Sequence, residues 1–265
     1  MKILNKTTNT SPILIHANGN AHRESCTIWE LLKRHIDLWE GVKSPLNSDL
    51  TIVTLKGGKY TVSTETILEK CCRKYGVPLM VLPWPEQRVP NFWEDSKAKQ
   101  YEVIKAINEG RITTKYIMCL DCGDVVFIRH PNEILDSYLN NFPDKHSVWN
   151  GEQNDWPRFD LPKYTHHPLL DEYLVKVSKR DNQIKAEEKT PFAFLNSGVS
   201  IGLTDKLYDF YQLGMKNFAT VKTNDQAMAR ISQYQMENHT IDRHCIIFQS
   251  LYNTKQSDFE VYIDD

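Results

Sequence analysis

The alternation of apolar runs with segments of helical periodicity between residues 12 and 130 is the feature that most constrains the fold of this chain. The apolar runs predict four strands, at 12–15, 50–55, 79–82 and 116–120. The segments between them predict three helices, at 27–39, 63–75 and 94–109. Because strand and helix alternate, the sequence predicts an α/β fold in which helices cover a sheet.

The order is less regular after residue 130. We expect a helix near Pro131, a strand at 147–149, a polar loop, an apolar run at 192–202, helices at 204–217 and 224–236, and a last strand at 245–248. An α/β half followed by an α+β half is common in enzymes that bind a nucleotide at the strand ends. No linker or repeat divides the chain, so we expect a single domain over residues 1–265.

The composition, with 40% hydrophobic and 25% charged residues, is typical of a soluble globular protein. Lys and Arg number 32 against 34 Asp and Glu, so the formal charge of −2 gives no global basic field for nucleic acid, although it is compatible with a local patch. No apolar run approaches the roughly 18 residues of a membrane helix, and the first ten residues lack the apolar core of a signal peptide. With six scattered cysteines, these features predict a cytoplasmic protein with free thiols and no membrane partner.

Two carboxylates, Asp121 and Asp124, flank Cys122-Gly123 directly after the predicted strand at 116–120. At close range two such groups repel each other and are not both ionised cheaply unless a cation lies between them. Hard oxygen ligands suit Mg²⁺ or Mn²⁺, which keep coordination positions for substrate phosphates. The alternative is an ordinary tight turn, since Asp and Gly dominate turns.

Cys119 and Cys122 form a single C-x-x-C in the same segment. A structural zinc site needs a second pair of ligands, and the sequence has no second C-x-x-C. We therefore expect Cys119 to be a buried strand residue.

The apolar segment 193–202 is interrupted by Asn196, Ser197 and Gly198. Small residues let a sugar or phosphate approach the backbone, and the two polar side chains could hydrogen-bond its hydroxyls. A β-bulge or hairpin is the alternative.

Thr223-Asn224-Asp225-Gln226 opens the predicted helix at 224–236. Capping by Thr223 or Asn224 would be sufficient to explain these residues. A carboxylate at this place could instead bind an acceptor hydroxyl or act as its base.

Taken in order, these motifs resemble the glycosyltransferase domain of the procollagen lysyl hydroxylase and collagen glycosyltransferase family, which has a GT-A-like fold. In that family a strand ending in Asp-x-x-Asp is followed by Trp-Pro, Leu-x-Ser-Gly-Gly, Asp-Asp-Gln and Asp-His-Arg-Cys-x-Ile-Phe-Gln. The counterparts here are DCGD at 121–124, Trp156-Pro157, 194–202, 224–226 and 241–250. The resemblance covers about residues 50–250 and depends on the order of the motifs rather than on any one of them.

A sixth family segment, His-Gly-Asn-Gly after a Pro-x-x-Ile strand, stands near the front of this chain instead of near the end. Its counterpart is His16-Ala17-Asn18-Gly19, which follows the strand at 12–15. We interpret this as a circular permutation, which is physically permissible because domain termini often lie close together. Residues 1–45 would then be the permuted segment, 50–130 the nucleotide-sugar half and 131–265 the acceptor and catalytic half. The alternative is an ordinary Asn-Gly turn.

The resemblance implies a UDP-sugar donor, a divalent metal (Mn²⁺ or Mg²⁺) and a hydroxyl-bearing acceptor. It implies Asp121, Asp124 and His16 as metal ligands. It implies donor-binding roles for Thr54, Leu55, Lys56, Lys99, Asn18, Gly19, His22, Arg23, Asn196, Ser197 and Gly198. It places Trp156, Asn224 and Asp225 at the sugar or acceptor as candidate catalytic residues.

Three residues depart from the family pattern: Ala17 and Val199 replace glycines, and Asn224 replaces the first acid of the Asp-Asp pair. Asp225 is then the only candidate carboxylate for a base in that segment. The departure puts any shared stereochemistry in doubt.

The predicted function is sugar transfer from a UDP-sugar to a hydroxyl group. Candidate acceptors are a glycan, a hydroxylated protein side chain, and the hydroxymethyl group of a modified pyrimidine in viral DNA. One alternative is a nucleotide-sugar-binding protein without turnover, suggested by Asn224 and Val199. Another is a nucleic-acid-binding module that stacks bases on Trp84, Trp93 and Trp156.

Overall fold

The computed structural model describes residues 1–19, 21, 26–57, 64–83, 97–157, 168–219 and 223–262, with only the backbone described at 168–170. The strands are β1 Lys2–Asn5, β2 Leu14–His16, β3 Leu50–Lys56, β4 Met80–Pro83, β5 Tyr116–Leu120, β6 Val125–Phe127, β7 Ser147–Glu152, β8 Phe194–Leu203, β9 His239–Asp242, β10 Phe248–Ser250 and β11 Phe259–Tyr262. The helices are α1 Thr27–Leu38, α2 Ile67–Tyr75, α3 Ala98–Asn108, α4 Pro131–Asn141, α5 Pro168–Glu188, α6 Thr204–Asn217 and α7 Asp225–Gln235.

A six-stranded sheet, in the order β4-β3-β5-β8-β7-β9, forms the centre of the fold. β4, β3 and β5 are parallel to one another, as are β7 and β9, whereas β8 is antiparallel to both of its neighbours. Alternate residues of β5 enter two different core clusters, one with α1, α2 and α4 and the other with α3, α6 and α7. Helices therefore cover both faces of a mostly parallel sheet, and the predicted α/β fold is confirmed.

A second sheet places the N-terminal strand beside the strand-end motif. β2 lies between β6, to which it is antiparallel, and β10, to which it is parallel. The backbone N–H of Ala17 donates to the carbonyl of Asp124 at 2.8 Å, and that of Leu251 donates to the carbonyl of His16 at 2.9 Å. These bonds hold residue 16 next to the turn at 121–124.

The first and last described strands also pair with each other. β1 and β11 are antiparallel, with Lys2 opposite Tyr262. The two ends of the described chain therefore lie side by side, the condition that a circular permutation requires.

The predicted elements of the first half are confirmed, with small shifts at their ends. The helix expected at 63–75 begins at Ile67, because Thr66 and Glu69 form a capping box there, and it ends at Gly76 with a φ of +68°. Part of the helix expected at 94–109 lies outside the described residues. Its described part, α3, ends just before Gly110.

Two predictions in the second half are wrong. The polar loop expected after residue 149 contains the 21-residue helix α5. This helix packs near α7 through a narrow apolar face that includes Leu174 and Val177. The strand expected at 245–248 is instead a turn, in which Cys245 has a φ of +51° and the Asp242 carboxylate accepts three backbone N–H groups. The strand begins only at Phe248.

No helix among the described residues is long and apolar enough to cross a membrane.

Candidate functional site

Asp121, Asp124 and His16 converge at the carboxyl end of β5. Each offers a ligand atom, and the three atoms lie within 4.8 Å of one another. Asp121 follows β5 directly, Asp124 precedes β6, and His16 ends β2, so three different segments supply the cluster. The structure thus brings together the three residues that the sequence nominated as metal ligands, although they are distant along the chain.

The His16 ring fits a cation at this place. Its Nε2 atom lies 3.7 Å from Asp121 Oδ2 and 3.6 Å from Asp124 Oδ1, both longer than a hydrogen bond. The residue is 1% exposed, and its Nε2 is a buried polar atom without a hydrogen-bond partner in the part of the chain that the structure describes. A buried unpartnered nitrogen is costly, and a metal ion between it and the two carboxylates would satisfy it.

Gly198 leaves the space in which these groups meet. A Cβ atom on Gly198 would lie 2.6 Å from Asp121 Oδ2 and 2.8 Å from His16 Nε2. The glycine is therefore required by the close approach of the ligands and not by its backbone angles.

A β-bulge in β8 carries Gly198 to this position. Trp149 pairs with Ser200, but the next residue of β7, Asn150, pairs with Asn196, so the residues between them on β8 have no partner on β7. The backbone N–H of Asp121 donates to the Gly198 carbonyl at 2.8 Å. The bulge expected as an alternative for this segment is present, and it is the device that aims the segment at the cluster.

The charges of the cluster are out of balance. Burial lowers the pKa of His16, but the Asp124 and Asp121 carboxylates outweigh it, and the pKa is raised above 6.5. Burial raises the pKa of Asp121, the positive charge of Lys99 lowers it, and the negative charge of Asp124 raises it further. The Asp121 side chain is nevertheless 37% exposed. The raised pKa of His16 expresses an excess of negative charge that a divalent cation would relieve, whereas the shift of Asp121 comes first from burial.

Lys99 lies in direct contact with the acids of this cluster. Its Nζ donates to Asp121 Oδ1 at 2.5 Å and to the Ser197 carbonyl at 3.1 Å, and it lies 3.5 Å from Asp225 Oδ2. Burial lowers the pKa of Lys99, but the two carboxylates raise it well above its ordinary value. Lys99 therefore lies between Asp121 and Asp225, and its role in binding the donor stays a prediction.

Asp225 and Asn224 have different roles at the start of α7. Asp225 Oδ2 accepts from Ser197 Oγ at 3.0 Å and so belongs to the cluster. Asn224 Oδ1 accepts from the Ala227 backbone N–H at 2.7 Å, which makes it the N-cap of α7. The capping alternative is confirmed for Asn224.

Asn18 and Gly19 follow His16, but the Asn18 amide is used within the protein. Its Nδ2 donates to Glu152 Oε2 at 2.6 Å, and its Oδ1 accepts from Ser250 Oγ at 2.6 Å and from the Tyr252 backbone N–H at 3.2 Å. Gly19 turns the chain with a φ of +62° against the Tyr252 ring. His22 and Arg23 lie outside the described residues.

The three residues at the end of β3 that are predicted to lie near the uracil and ribose form contacts within the protein. Thr54 Oγ1 donates to the Leu120 carbonyl at 2.7 Å, and Leu55 packs in a core cluster. Lys56 Nζ pairs with the Glu69 carboxylate at 2.8 Å. Their predicted contacts with the donor stay a prediction.

Trp156 lies in the loop after β7 and is half-buried. Its carbonyl accepts from Gln226 Nε2 at 2.9 Å and from Arg230 Nη1 at 3.2 Å, which ties the loop to α7. Trp84 and Trp93, the other residues of the base-stacking alternative, lie outside the described residues.

Sequence reasoning missed Asn150 and Glu152, which extend from the same face of β7 toward the site. Asn150 Nδ2 lies 3.2 Å from His16 Nδ1, and the Glu152 carboxylate accepts from Asn18, Asn196 and Gln226. Burial raises the pKa of Glu152 to about 7 against opposing hydrogen bonds from Gln226 and Asn196. The available signal was the polar alternation Asn150-x-Glu152 directly after a predicted strand.

The similarities of this chain to known proteins are weak. No protein-family profile matches the chain. An uncharacterised protein of Acanthamoeba polyphaga mimivirus is 23% identical over 212 residues, which are 78% of this chain and 41% of that protein, so the chain spans about two fifths of that relative's length. The crystal structure of mouse xyloside xylosyltransferase 1 in its apo form is similar with a TM-score of 0.30 and 12% identity, over 66% of this chain and 63% of that one. The α/β assignment therefore rests on the sheet itself.

Proposed function

We propose that this protein is a metal-dependent glycosyltransferase that moves a sugar from a UDP-sugar to a hydroxyl group of an acceptor. The observation that carries the proposal is the convergence of His16, Asp121 and Asp124 at a strand end, with a buried Nε2 atom that has no hydrogen-bond partner among the described residues. Nucleotides bind at the carboxyl ends of parallel strands in folds of this class. A divalent ion held there has open positions for a diphosphate.

His16, Asp121 and Asp124 would hold Mn²⁺ or Mg²⁺, which when bound neutralises charge on the departing UDP. Gly198 keeps the space between the ligands open, and Lys99 keeps a positive charge beside Asp121. Asp225 is the carboxylate of this cluster that we assign as the acceptor's base. In this assignment the acceptor oxygen bonds to the anomeric carbon, the bond from that carbon to UDP breaks, and the hydroxyl proton passes to Asp225.

The finer proposal is kinship with the collagen glycosyltransferase family through a circular permutation. It is supported by the position of β2 between β6 and β10 and by the pairing of β1 with β11. The acceptor proposals are the hydroxymethyl group of a modified pyrimidine in DNA, a hydroxylated protein side chain and a glycan.

Incubation with mixed UDP-sugars and Mn²⁺ tests the function. We expect release of UDP, and mass spectrometry should show one added sugar on one acceptor from a panel of hydroxymethylated DNA, hydroxylysine peptide and simple glycans. Asp124→Ala should abolish both signals. Asp136→Ala, which changes an exposed acid on α4, is the matched control and should retain them.

A binding protein without turnover is the second candidate, favoured by the use of Asn224 as a helix cap where the resemblance implies an acid. It predicts Mn²⁺-dependent UDP-sugar binding with no UDP released over hours. UDP-sugar binding that needs no metal, or that survives Asp124→Ala, would contradict both candidates.

A further inference from the structure

Glu152 is a buried carboxylate that joins three separate segments of the site. It is the last residue of β7 and is 3% exposed. Its oxygens accept from Asn18 Nδ2 at 2.6 Å, from Asn196 Nδ2 at 3.4 Å and from Gln226 Nε2. Among the described residues, no lysine or arginine forms an ion pair with it, so side-chain amides are its direct partners, with weaker help from the charges of His16 and Arg230. We call Glu152 with Asn18, Asn196 and Gln226 the Glu152 cluster.

The three amide residues of the Glu152 cluster each lie within two residues, along the sequence, of a residue of the candidate metal and donor site. Asn18 is two residues from His16, Asn196 is two residues from Gly198, and Gln226 adjoins Asp225. Further bonds carry the connection outward, since Asn18 also accepts from Ser250 on β10 and Gln226 also donates to the Trp156 carbonyl. One carboxylate thus connects β2, the bulge of β8 and the start of α7.

The three amide donors at this position favour a side chain with two acceptor oxygens. Three N–H donors converge on two oxygens, and only a carboxylate offers acceptors in every direction. A glutamine at position 152 would direct an NH₂ group at one of those donors, and an apolar residue would leave buried amides without partners. A buried charge is expensive, so its retention beside the site is explained by what it holds in place.

We propose that Glu152 is a positioning residue that sets His16 against Asp121 and Asp124 by fixing Asn18, Asn196 and Gln226. This inference rests on the proposed function, because it gives Glu152 a role in how tightly the divalent metal binds. Outer residues that orient metal ligands change affinity by about 10–100-fold when they are replaced.

Isothermal titration with Mn²⁺, alone and then with UDP, tests the inference on the full chain. Glu152→Gln keeps the shape of the side chain, and we expect about tenfold or greater weakening of Mn²⁺ binding. Hydrogen exchange on the same variant should show faster exchange in all three segments, near residues 16–19, 196–198 and 224–227. Gln226→Met removes one donor and should weaken Mn²⁺ binding by a smaller factor.

A rescue variant and a stability control separate positioning from general loss of structure. The double variant Asn18→Asp/Glu152→Gln moves the charge to the other end of the bond and should regain part of the Mn²⁺ affinity. Leu135→Ala, in the α4 core, should lower Tm without changing Mn²⁺ affinity at a temperature where it is folded.

The two proposals fail in different ways. If the wild-type protein binds no Mn²⁺, the proposed function is overturned and the role of Glu152 with it. If the wild type binds Mn²⁺ and Glu152→Gln binds it equally well, or the double variant regains nothing, only the role of Glu152 is overturned.

Discussion

Two charged clusters lie close together in this fold and are built in opposite ways. The arginine cluster, Arg180 and Arg230 with Asp155 and Asp181, has as many positive as negative groups. Arg230 and Asp181 have side chains that are 0% exposed, and Arg230 Nη1 lies 2.7 Å from Asp155 Oδ1. Its charges are paired within the cluster, as expected of a cluster that supports structure, although Arg230 Nε has no hydrogen-bond partner among the described residues.

The carboxylate cluster, Asp121, Asp124 and Asp225 with His16 and Lys99, has more acids than bases. Its His16 Nε2 atom has no hydrogen-bond partner within the described ranges, and its Asp121 side chain is 37% exposed. Burial and charged residues are common to both clusters. What distinguishes the candidate site is an uncompensated charge with access to solvent.

The largest effect should follow from breaking the arginine cluster. Arg230→Met removes the partner of two aspartates, of which Asp181 is fully buried, and we expect unfolding free energy to fall by about 3–5 kcal/mol. Urea unfolding followed by circular dichroism measures this. Arg73→Met, which changes an exposed ion pair with Glu65, should leave the midpoint nearly unchanged. A loss of under about 1 kcal/mol for Arg230→Met would show that the balanced cluster has no structural role.

The next effect is a pH dependence arising from Glu152, beside the carboxylate cluster. Its pKa of about 7 lies above the ordinary value of 4.5, so the folded protein binds this proton more tightly than the unfolded chain. The stability from this group is fully present below pH 4.5 and is lost as the pH rises toward 7, a change of at most about 3 kcal/mol.

Urea unfolding of the metal-free protein between pH 4.5 and 7.5 measures that dependence. Glu152→Gln carries no titrating proton, so the difference in stability between wild type and variant should change across this range. Parallel profiles for the two proteins would contradict the assignment of this titration to Glu152.

A smaller effect should come from filling the space at Gly198. Gly198→Ala puts a methyl group between Asp121 and His16, and we expect Mn²⁺ affinity to fall by about tenfold or more as the ligands move apart. Gly214→Ala, in α6, meets only the flexible end of Met228 and the Ser232 hydroxyl within 3.4 Å and is the matched control. Equal Mn²⁺ affinity in wild type and Gly198→Ala would place the metal elsewhere.

The sequence could predict those elements of the fold that depend on local features. The strands and helices between residues 12 and 130 follow from local periodicity, and α2 has a capping box and a terminal glycine that the sequence displays. The helix α5 was missed because its apolar face is narrow. β9 and β10 are short, and their pairing depends on β7 and β2, which are distant in the sequence.

The residues of the candidate site were likewise only partly predictable from the sequence. Asp121, Asp124 and His16 were nominated through motif order and resemblance, and Lys99 and Asp225 were found with them. Glu152 could not be found in this way, because its role depends on three amides that approach from residues 18, 196 and 226. Convergence of that kind is a property of the folded chain alone.

The most direct test of the central claim is a crystal of the protein soaked in Mn²⁺ and measured for anomalous scattering. We predict one strong peak between His16 Nε2, Asp121 and Asp124, with metal–ligand distances of about 2.1 Å after the side chains close on the ion. The peak should be absent from Asp124→Ala crystals treated in the same way. A wild-type crystal with no anomalous peak at these three residues would contradict the account.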